Sequence, residues 1–401
     1  MSSSSNAKPS LIWMLAGLIS IGPLAVDTYL PAMPQMATGL GVALHQIEFT
    51  LSVYLLGFAI GQLVGGPLSD RYGRRITILG GLALFAGASL VAACSNQIEV
   101  LWAARLVQAL GGGLGVVNTM AVLRDLYSGR ESAQALSRVV SIMLAAPLLA
   151  PFIGSGLLLL SGWRSIFVAL AAYAAFLWLV MAWKLPETHQ AVKNNVNKTA
   201  QPSALQRYWS VLRHRPVLGF LAAISFSHAS MFAFITGSSL LYMEYYGVSA
   251  QLFPVLFGLN IVTLTLCNRL NVALLNSYNP LTLLVAGQLS QLILGVVLLG
   301  AFLLLDPSLW VTLVLVMLFI GVQGLIMANG ISSATEYFPQ SAATTSAVMN
   351  ASGFLAGAIS GGLISLWGAG SPVALLWIMA LSPVLGLISR WLLHRNLASY
   401  T

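Results

Sequence analysis

Two charged side chains lie inside long apolar segments of the sequence, where ionisable groups are rare and usually functional. They are Asp27, near the end of segment 11–30, and Arg105, near the start of segment 100–123. At about 1.5 Å per helical residue, the two share a similar depth if these segments cross a membrane in opposite directions. Burial and a nearby cation act on a carboxyl group in opposite senses. Asp27 is therefore a candidate to bind and release a proton, with Arg105 beside it.

Both residues also allow a structural interpretation. Asp27 could cap a bend at the membrane interface before Pro31, since residues near the end of a segment can reach water. Arg105 could anchor backbone carbonyls, and Gln108, one helical turn later, would serve either role.

The composition indicates that these residues lie in a membrane protein. The 401-residue chain is 58% hydrophobic and 7% charged, whereas soluble proteins carry about 25% charged residues. The sequence therefore predicts an all-α membrane protein with 12 transmembrane helices, because twelve apolar segments have about the length that such a helix needs. The segments are 11–30, 47–68, 76–94, 100–123, 139–160, 166–183, 217–242, 252–267, 281–305, 309–327, 342–367 and 373–393.

The positive charges predict the orientation. All but Arg105 and Arg164 of the 18 Lys and Arg residues fall on one side of these segments. By the positive-inside rule, this side and both termini are cytoplasmic. The external loops are short, so we expect no external binding domain, and they are predicted to carry acidic residues: Glu48, Glu99, Glu244 and Asp306.

The segments divide into six and six around the longest polar stretch. We predict an N-terminal six-helix bundle of residues 1–184, a cytoplasmic linker of residues 185–216 and a C-terminal six-helix bundle of residues 217–401. Apolar residues at helical spacing over 204–212 predict a short interfacial helix within the linker.

Three motifs carry a family resemblance. Residues 66–75, between the second and third segments, read GPLSDRYGRR and resemble the signature cytoplasmic loop of the major facilitator superfamily. Residues 105–108, RLVQ, resemble the Arg-x-x-Gln of that superfamily. Residues 150–156, APFIGSG, resemble its antiporter motif Gly-Pro-x-x-Gly-Gly, with Ala for the first Gly and Ser for the last.

Further matches narrow the resemblance to one branch. Residues 27–34, DTYLPAMP, and 123–127, LRDLY, together with Pro147 and Pro151, look like the bicyclomycin-resistance (Bcr/CflA) branch of drug:proton antiporters. The resemblance covers nearly the whole chain.

The resemblance implies roles for several residues. It implies two six-helix bundles, each of inverted three-helix repeats, with a substrate site between them at the membrane midplane. A cluster of Asp70, Arg74 and Asp125 would hold one conformation closed at the inner face, and Asp70 and Arg74 are spaced to pair on one helical face. The fifth segment would prevent leakage through close helix packing, at Pro147, Pro151 and Gly154.

Candidate substrate-binding residues are polar or aromatic and lie inside the segments, since drug-sized sites are mainly apolar with a few polar groups. They are Tyr54, Gln62, Gln108, Asn118, Phe226, His228, Phe232, Asn260, Gln288 and Asn350. His228 could carry a second proton or bond a neighbouring helix. Asp27 is expected to be the one firmly embedded acidic residue, which favours neutral or weakly charged amphiphilic substrates.

We therefore expect a proton-coupled antiporter of the bacterial inner membrane that exports small amphiphilic drugs or metabolites, phenicol- or bicyclomycin-like. A dedicated transporter of one metabolite, such as an amino acid, nucleoside or siderophore, is the alternative. A non-transporting sensor or an enzyme has less support, because no nucleophile–base pair is evident.

The expected partners are a small-molecule substrate, protons and the lipid bilayer. Cys94 and Cys267 lie in separate apolar segments, so neither a disulfide nor a metal cluster is expected. We expect no cofactor, no metal and no nucleic acid, and a monomer.

Overall fold

The computed structural model describes residues 9–127, 129–188, 204–338, 341–367 and 371–394. Within these ranges, 12 helical spans are long and apolar enough to cross a membrane. The predicted number is confirmed, and the chain is a multi-pass membrane protein.

The first half contains nine of the described helices: α1 (Pro9–Asp27), α2 (Met33–Leu40), α3 (Leu44–Tyr72), α4 (Arg74–Cys94), α5 (Ile98–Val116), α6 (Asn118–Leu126), α7 (Gly129–Met143), α8 (Ala145–Ser161) and α9 (Arg164–Lys184). The second half contains α10 (Ala204–Arg213), α11 (Arg215–Ser239), α12 (Phe253–Leu274), α13 (Pro280–Leu305), α14 (Leu309–Gly321), α15 (Gln323–Thr335), α16 (Ala342–Trp367) and α17 (Val373–His394). A π-helical extension, Leu240–Tyr245, continues α11.

Five spans are interrupted within the described chain. The first contains a 3-10 turn, Leu30–Ala32, between α1 and α2. The fourth breaks at Val117, the fifth at Leu144 and the tenth at Val322, while the seventh changes into the π-helix. The first and seventh spans, and likewise the fourth and tenth, hold equivalent places in the two halves. Broken helices at equivalent places in repeated halves often mark the substrate site of a transporter.

Proline explains two of these breaks. Pro31 restricts the residue before it and lacks an N–H donor, and α1 ends at Asp27, four residues earlier. Pro147 lies in the first turn of α8, where a missing N–H costs nothing, so the helix restarts at Ala145 after the break.

The helices group into two compact units, and the first consists of Met1–Met36 and Leu56–Gln201. In this unit α4 packs against α5 and α9, and α1 packs against α5, α7, α8 and α9. Close contact depends on small residues: a Cβ on Gly61 of α3 would lie 2.6 Å from the carbonyl oxygen of Leu110 on α5. Such glycines let transmembrane backbones approach each other.

The second unit consists of Ala37–Leu55 and Pro202–Thr401, so α3 contributes to both units. Here α11 packs against α16 and α17. Val211 of α10 is buried with apolar residues of α11, whereas Trp209 is 54% exposed. The predicted helix at 204–212 is confirmed, and the rest of the predicted linker at 189–203 lies outside the described residues.

The two compact units do not coincide with the two predicted bundles. The change from one unit to the other at Gln201 falls inside the predicted linker, whereas Ala37–Leu55 groups with the second unit. The boundaries 1–184, 185–216 and 217–401 stay a prediction.

Candidate functional site

The guanidinium of Arg105 is completely buried and bonded to neighbouring helices. Its Nη2 donates to the carbonyl oxygen of Ala25 on α1 at 3.1 Å, and its Nη1 donates to Oε1 of Gln108 at 2.6 Å. Gln108 in turn donates to the hydroxyl of Ser89 on α4 at 2.7 Å. The guanidinium also lies 4.5 Å from the ring centroid of Tyr29. Arg105 thus joins α5 to α1 through a charge-assisted bond, which is the stronger class of hydrogen bond, and Gln108 extends the network to α4.

Asp27 occupies the last residue of α1 and is 4% exposed. Its Oδ1 has no hydrogen-bond partner among the described protein atoms. The described ion pairs do not include Asp27, because Arg105 contacts α1 through the Ala25 carbonyl, two residues earlier. Arg105 therefore lies near the end of α1, as predicted. It bonds to a backbone carbonyl there, as expected if it anchors the backbone. The proton-coupling role of both residues stays a prediction.

The fifth-span motif packs directly against the end of α1. Pro151 and Gly154 are buried in α8, and Pro147 is partly buried. A Cβ on Gly154 would overlap the carbonyl oxygen of Thr28, the residue after Asp27. Glycine is therefore required for α8 to approach this backbone, and the motif supports the position of the carboxyl group.

The predicted charge cluster between α3 and α4 is present. Nη1 of Arg74 lies 2.9 Å from Oδ1 of Asp70, and its Nε lies 3.4 Å from Oδ2 of Asp125 at the end of α6. Arg74 also donates to the hydroxyl of Ser69 at 2.8 Å. The contacts therefore unite the three residues of the predicted gate, while gating itself stays a prediction.

Glu187, which the sequence analysis did not single out, completes this cluster. Its carboxylate accepts the backbone N–H groups of Arg74 at 2.9 Å and Arg75 at 3.1 Å. These amides open α4, whose N-terminus carries partial positive charge that favours an anion. Gly73, with φ of 98°, allows the close approach. The sequence contained one indication of this role, because Glu187 is one of only 10 acidic residues and lies just after a span.

Four predicted substrate-binding residues in the first half are buried: Tyr54, Gln62, Gln108 and Asn118. Tyr54 lies in the second unit, and the other three lie in the first. Gln108 is bonded to Arg105 and Ser89. The Asn118 amide donates to a carbonyl one turn earlier, at 2.7 Å. Their contact with a substrate stays a prediction.

Two of the predicted residues in the second half share one aromatic cluster. His228 and Phe232 of α11 stack with centroids 6.0 Å apart, and Phe354 of α16 lies 6.3 Å and 5.5 Å from them. Gly353 and Gly357 leave the space that these two α11 rings occupy. His228 Nδ1 lies 3.2 Å from a carbonyl oxygen one turn earlier on its own helix. The described bond of this ring nitrogen is thus intrahelical.

The remaining four predicted residues are spread over the second unit. Asn260 is buried and donates to a carbonyl of its own helix at 3.0 Å. Gln288 is buried and accepts from Nε of Arg390 at 2.6 Å. Phe226 and Asn350 are partly buried. The contacts described for these four do not unite them into one cluster.

A buried amide network in the second unit was not predicted. Gln323 of α15 donates to the Ser227 carbonyl at 2.5 Å, and Gln291 of α13 accepts from the Ser227 hydroxyl at 3.1 Å and donates to Ser230 at 3.3 Å. The network joins three helices beside the break at Val322. Glutamine inside an apolar segment was the available signal.

The expectation that Glu48 lies in an external loop is wrong. Glu48 belongs to α3, is 1% exposed, and both carboxylate oxygens are buried without a hydrogen-bond partner among the described atoms. Asp27 is therefore not the one embedded acidic residue. Hydropathy along the chain places Glu48 at a segment end, but tertiary packing encloses it.

His214, the residue just before α11, provides a titratable group outside the spans. Its ring lies 5.1 Å from that of Tyr337 and 5.2 Å from that of Phe338. Burial lowers the pKa of His214 from its ordinary value of 6.5, because the charged imidazolium loses hydration there.

Comparisons with known proteins agree with this architecture. The sequence profile of the Major Facilitator Superfamily matches residues 15–361. The chain resembles the structure of a D-xylose-proton symporter with a TM-score of 0.73, covering 95% of this chain and 96% of the other at 17% identity. At that identity the likeness shows the fold alone.

Two relatives are similar to this chain in sequence. It is 31% identical over 395 residues to the bicyclomycin resistance protein homolog of Haemophilus influenzae, covering 98% of each chain. It is 38% identical over 184 residues to the chloramphenicol resistance protein of Pseudomonas aeruginosa, covering 44% of this chain and 42% of the other. With the profile match and the 12 spans, these similarities show that the chain belongs to the major facilitator superfamily of membrane transporters and confirm its resemblance to the bicyclomycin-resistance branch.

Proposed function

We propose that this chain is a proton-coupled antiporter that exports small amphiphilic compounds, with Asp27 as the proton carrier. One observation carries the proposal. A buried carboxyl oxygen without a described partner lies at the end of α1, where the first span breaks, while the buried cation Arg105 bonds to the backbone two residues away. Buried charges without partners are costly, so the protonation of this group responds to any opening of its surroundings. The names of the relatives support drug-like substrates.

The proposed cycle follows alternating access. Asp27 takes a proton from outside, and substrate leaves outward. Reorientation exposes Asp27 to the cytoplasm, where the carboxyl O–H bond breaks and the proton passes to water. Arg105 holds the end of α1 at a fixed distance from α5. When the surroundings of Asp27 open, the hydration of its carboxyl group therefore changes and its position does not. The free carboxylate then readies the site for the next substrate molecule.

The charge cluster of Asp70, Arg74, Asp125 and Glu187 would stabilise one of the two conformations. Exposed pairs contribute about 0–1 kcal/mol each, but several bonds on one guanidinium and one helix start can bias a two-state equilibrium. On the distribution of Lys and Arg, we further propose that both termini are cytoplasmic. We also propose that the protein is a monomer in the bacterial inner membrane.

Substrate would be bound by mainly apolar surface with few polar groups. The cluster of His228, Phe232 and Phe354 offers aromatic surface beside one titratable ring. This chemistry suits neutral or weakly charged amphiphiles such as phenicols or bicyclomycin.

Purified protein in vesicles that enclose a pH-sensitive dye provides the test. A proton gradient is imposed, and phenicols, bicyclomycin, sulfonamides, cysteine and nucleosides are added singly. We expect substrate-triggered proton movement in the wild type and its loss in Asp27→Asn. The matched control is Asp306→Asn, because Asp306 is exposed and its φ of 44° suits asparagine.

Proton-dependent transport at the wild-type rate in Asp27→Asn would refute the assignment of the carrier. Proton movement with one metabolite and none of the drugs would replace drug export by dedicated metabolite transport. Binding without proton movement would refute proton coupling.

A further inference from the structure

Glu48 is a second buried carboxyl group that the proposed cycle does not use. It is 1% exposed, and neither oxygen has a hydrogen-bond partner among the described atoms. Asp27 shares this condition at one oxygen, but Glu48 lies in the second unit, in which Ala37–Leu55, including the first part of α3, groups with the C-terminal helices.

Two buried hydroxyl groups accompany Glu48 in this unit. Ser52 follows it by four residues and shares its helical face. The Oγ of Ser52 and the Oγ1 of Thr236 on α11 both converge on Gly361 of α16, at 2.5 Å and 3.0 Å from where a Cβ would lie. Neither hydroxyl oxygen has a described hydrogen-bond partner. Three helices thus bring unsatisfied polar atoms together in an otherwise apolar region.

Glycine spacing on α16 produces this arrangement. Gly353, Gly357 and Gly361 recur every four residues and receive His228, Phe232 and Thr236, which recur every four residues on α11. The first two glycines accommodate aromatic rings, whereas the third accommodates two hydroxyl groups. The polar pair therefore lies on the same helical seam as the aromatic cluster.

No cation is available on these segments to balance an ionised Glu48. Residues 37–55, residues 216–245 and α16 contain neither Lys nor Arg. The titratable groups there are His45, partly buried on α3, Tyr54 of α3, His228 of α11, and three residues of the π-helix: Tyr242, Tyr245 and Glu244, whose negative charge repels one on Glu48. α16 contributes no titratable residue. An ion buried in this way is strongly disfavoured.

We propose that Glu48 is a second proton-binding group of the transport cycle. Glu48 holds a proton while it is buried one turn before Ser52, and it loses the proton when α3 separates from α11 and α16 and water enters. The carboxyl O–H bond then breaks, both electrons stay on oxygen, and water accepts the proton. This role rests on the proposed antiport, and it raises the number of protons exchanged per substrate.

The first test observes the proton directly and does not depend on transport. Infrared difference spectra of the purified protein in lipid vesicles are recorded for wild type, Glu48→Gln and Glu99→Gln at neutral pH. Glu48→Gln has the shape of a neutral glutamic acid and should keep the fold, whereas Glu99 is an exposed glutamate. We expect a carbonyl band of protonated carboxylic acid that Glu48→Gln lacks and Glu99→Gln retains, while any band of Asp27 is common to all three proteins.

The second test counts protons in the vesicle assay. We expect the wild-type ratio of protons to substrate to be about twice that of Glu48→Gln, since each embedded carboxyl group relays one proton. Wild-type protein that moves substrate without protons would refute the proposed function, and the role of Glu48 with it. Coupled wild-type transport with an unchanged ratio in Glu48→Gln would overturn the role of Glu48 alone, as would a Glu48→Gln spectrum that retains every carboxylic acid band of the wild type.

Discussion

The contact between α8 and the end of α1 can be tested by adding one methyl group to either of two glycines in the same helix. Gly154→Ala places a Cβ over the Thr28 carbonyl group, 2.7 Å from its carbon atom. Gly156→Ala, two residues later, meets no atom within 4 Å. The substitutions are chemically identical, so their difference reports the contact.

The structure predicts that Gly156→Ala stabilises the fold and that Gly154→Ala does not. Replacing a helical glycine by alanine stabilises a helix by about 1 kcal/mol, because glycine has more backbone freedom to lose. Gly156→Ala should receive this stabilisation undiminished. Gly154→Ala receives it too, but forcing a methyl group into close-packed backbone costs about 1–3 kcal/mol. We therefore expect Gly154→Ala to unfold between about 0 and 2 kcal/mol more easily than the wild type.

Unfolding in detergent with increasing denaturant measures both stabilities, and the vesicle assay measures transport. Displacement of α8 shifts the backbone beside Asp27, so we expect Gly154→Ala to lower coupled transport and Gly156→Ala to leave it unchanged. Equal stability of the two variants, at or above that of the wild type, would show that α8 does not press against Thr28. The motif would then not position Asp27.

Three further changes follow from the described contacts. Glu187→Gln should destabilise the fold by about 1 kcal/mol in the same unfolding assay, because the start of α4 loses its anionic acceptor; stability equal to wild type would contradict the cap. Arg105→Lys should lower the stability of the fold by about 2 kcal/mol and abolish most of the transport, since one ammonium cannot reproduce the two bonds of the guanidinium, including that to Gln108. An unfolding curve equal to that of the wild type would show that the two bonds of the guanidinium are dispensable. His214 has a lower pKa folded than unfolded, so the unfolded chain binds protons more readily and stability should fall as pH drops below 6.5. Melting temperatures on either side of that pH should show a smaller loss for His214→Phe, and an equal loss would assign the acid sensitivity to other groups.

The sequence alone determined the spans, their number and the loop that carries Asp70 and Arg74. Hydrophobic length and the side on which Lys and Arg lie are properties of a linear segment in a bilayer, so they can be read without knowing any neighbour. The i, i+4 spacing of Asp70 and Arg74 is equally local, and the structure contains that pair.

Tertiary packing decided which atoms the buried charges meet. Arg105 was expected beside Asp27, yet its bond goes to a backbone carbonyl of α1, because the rotation of one helix against another selects the partner and hydropathy does not encode rotation. Glu187 lies more than 100 residues from the helix that it caps. Ser52, one helical turn after the buried Glu48, packs against Gly361 of α16, far along the chain. Each of these contacts is formed by lateral packing between helices, which a single sequence does not specify.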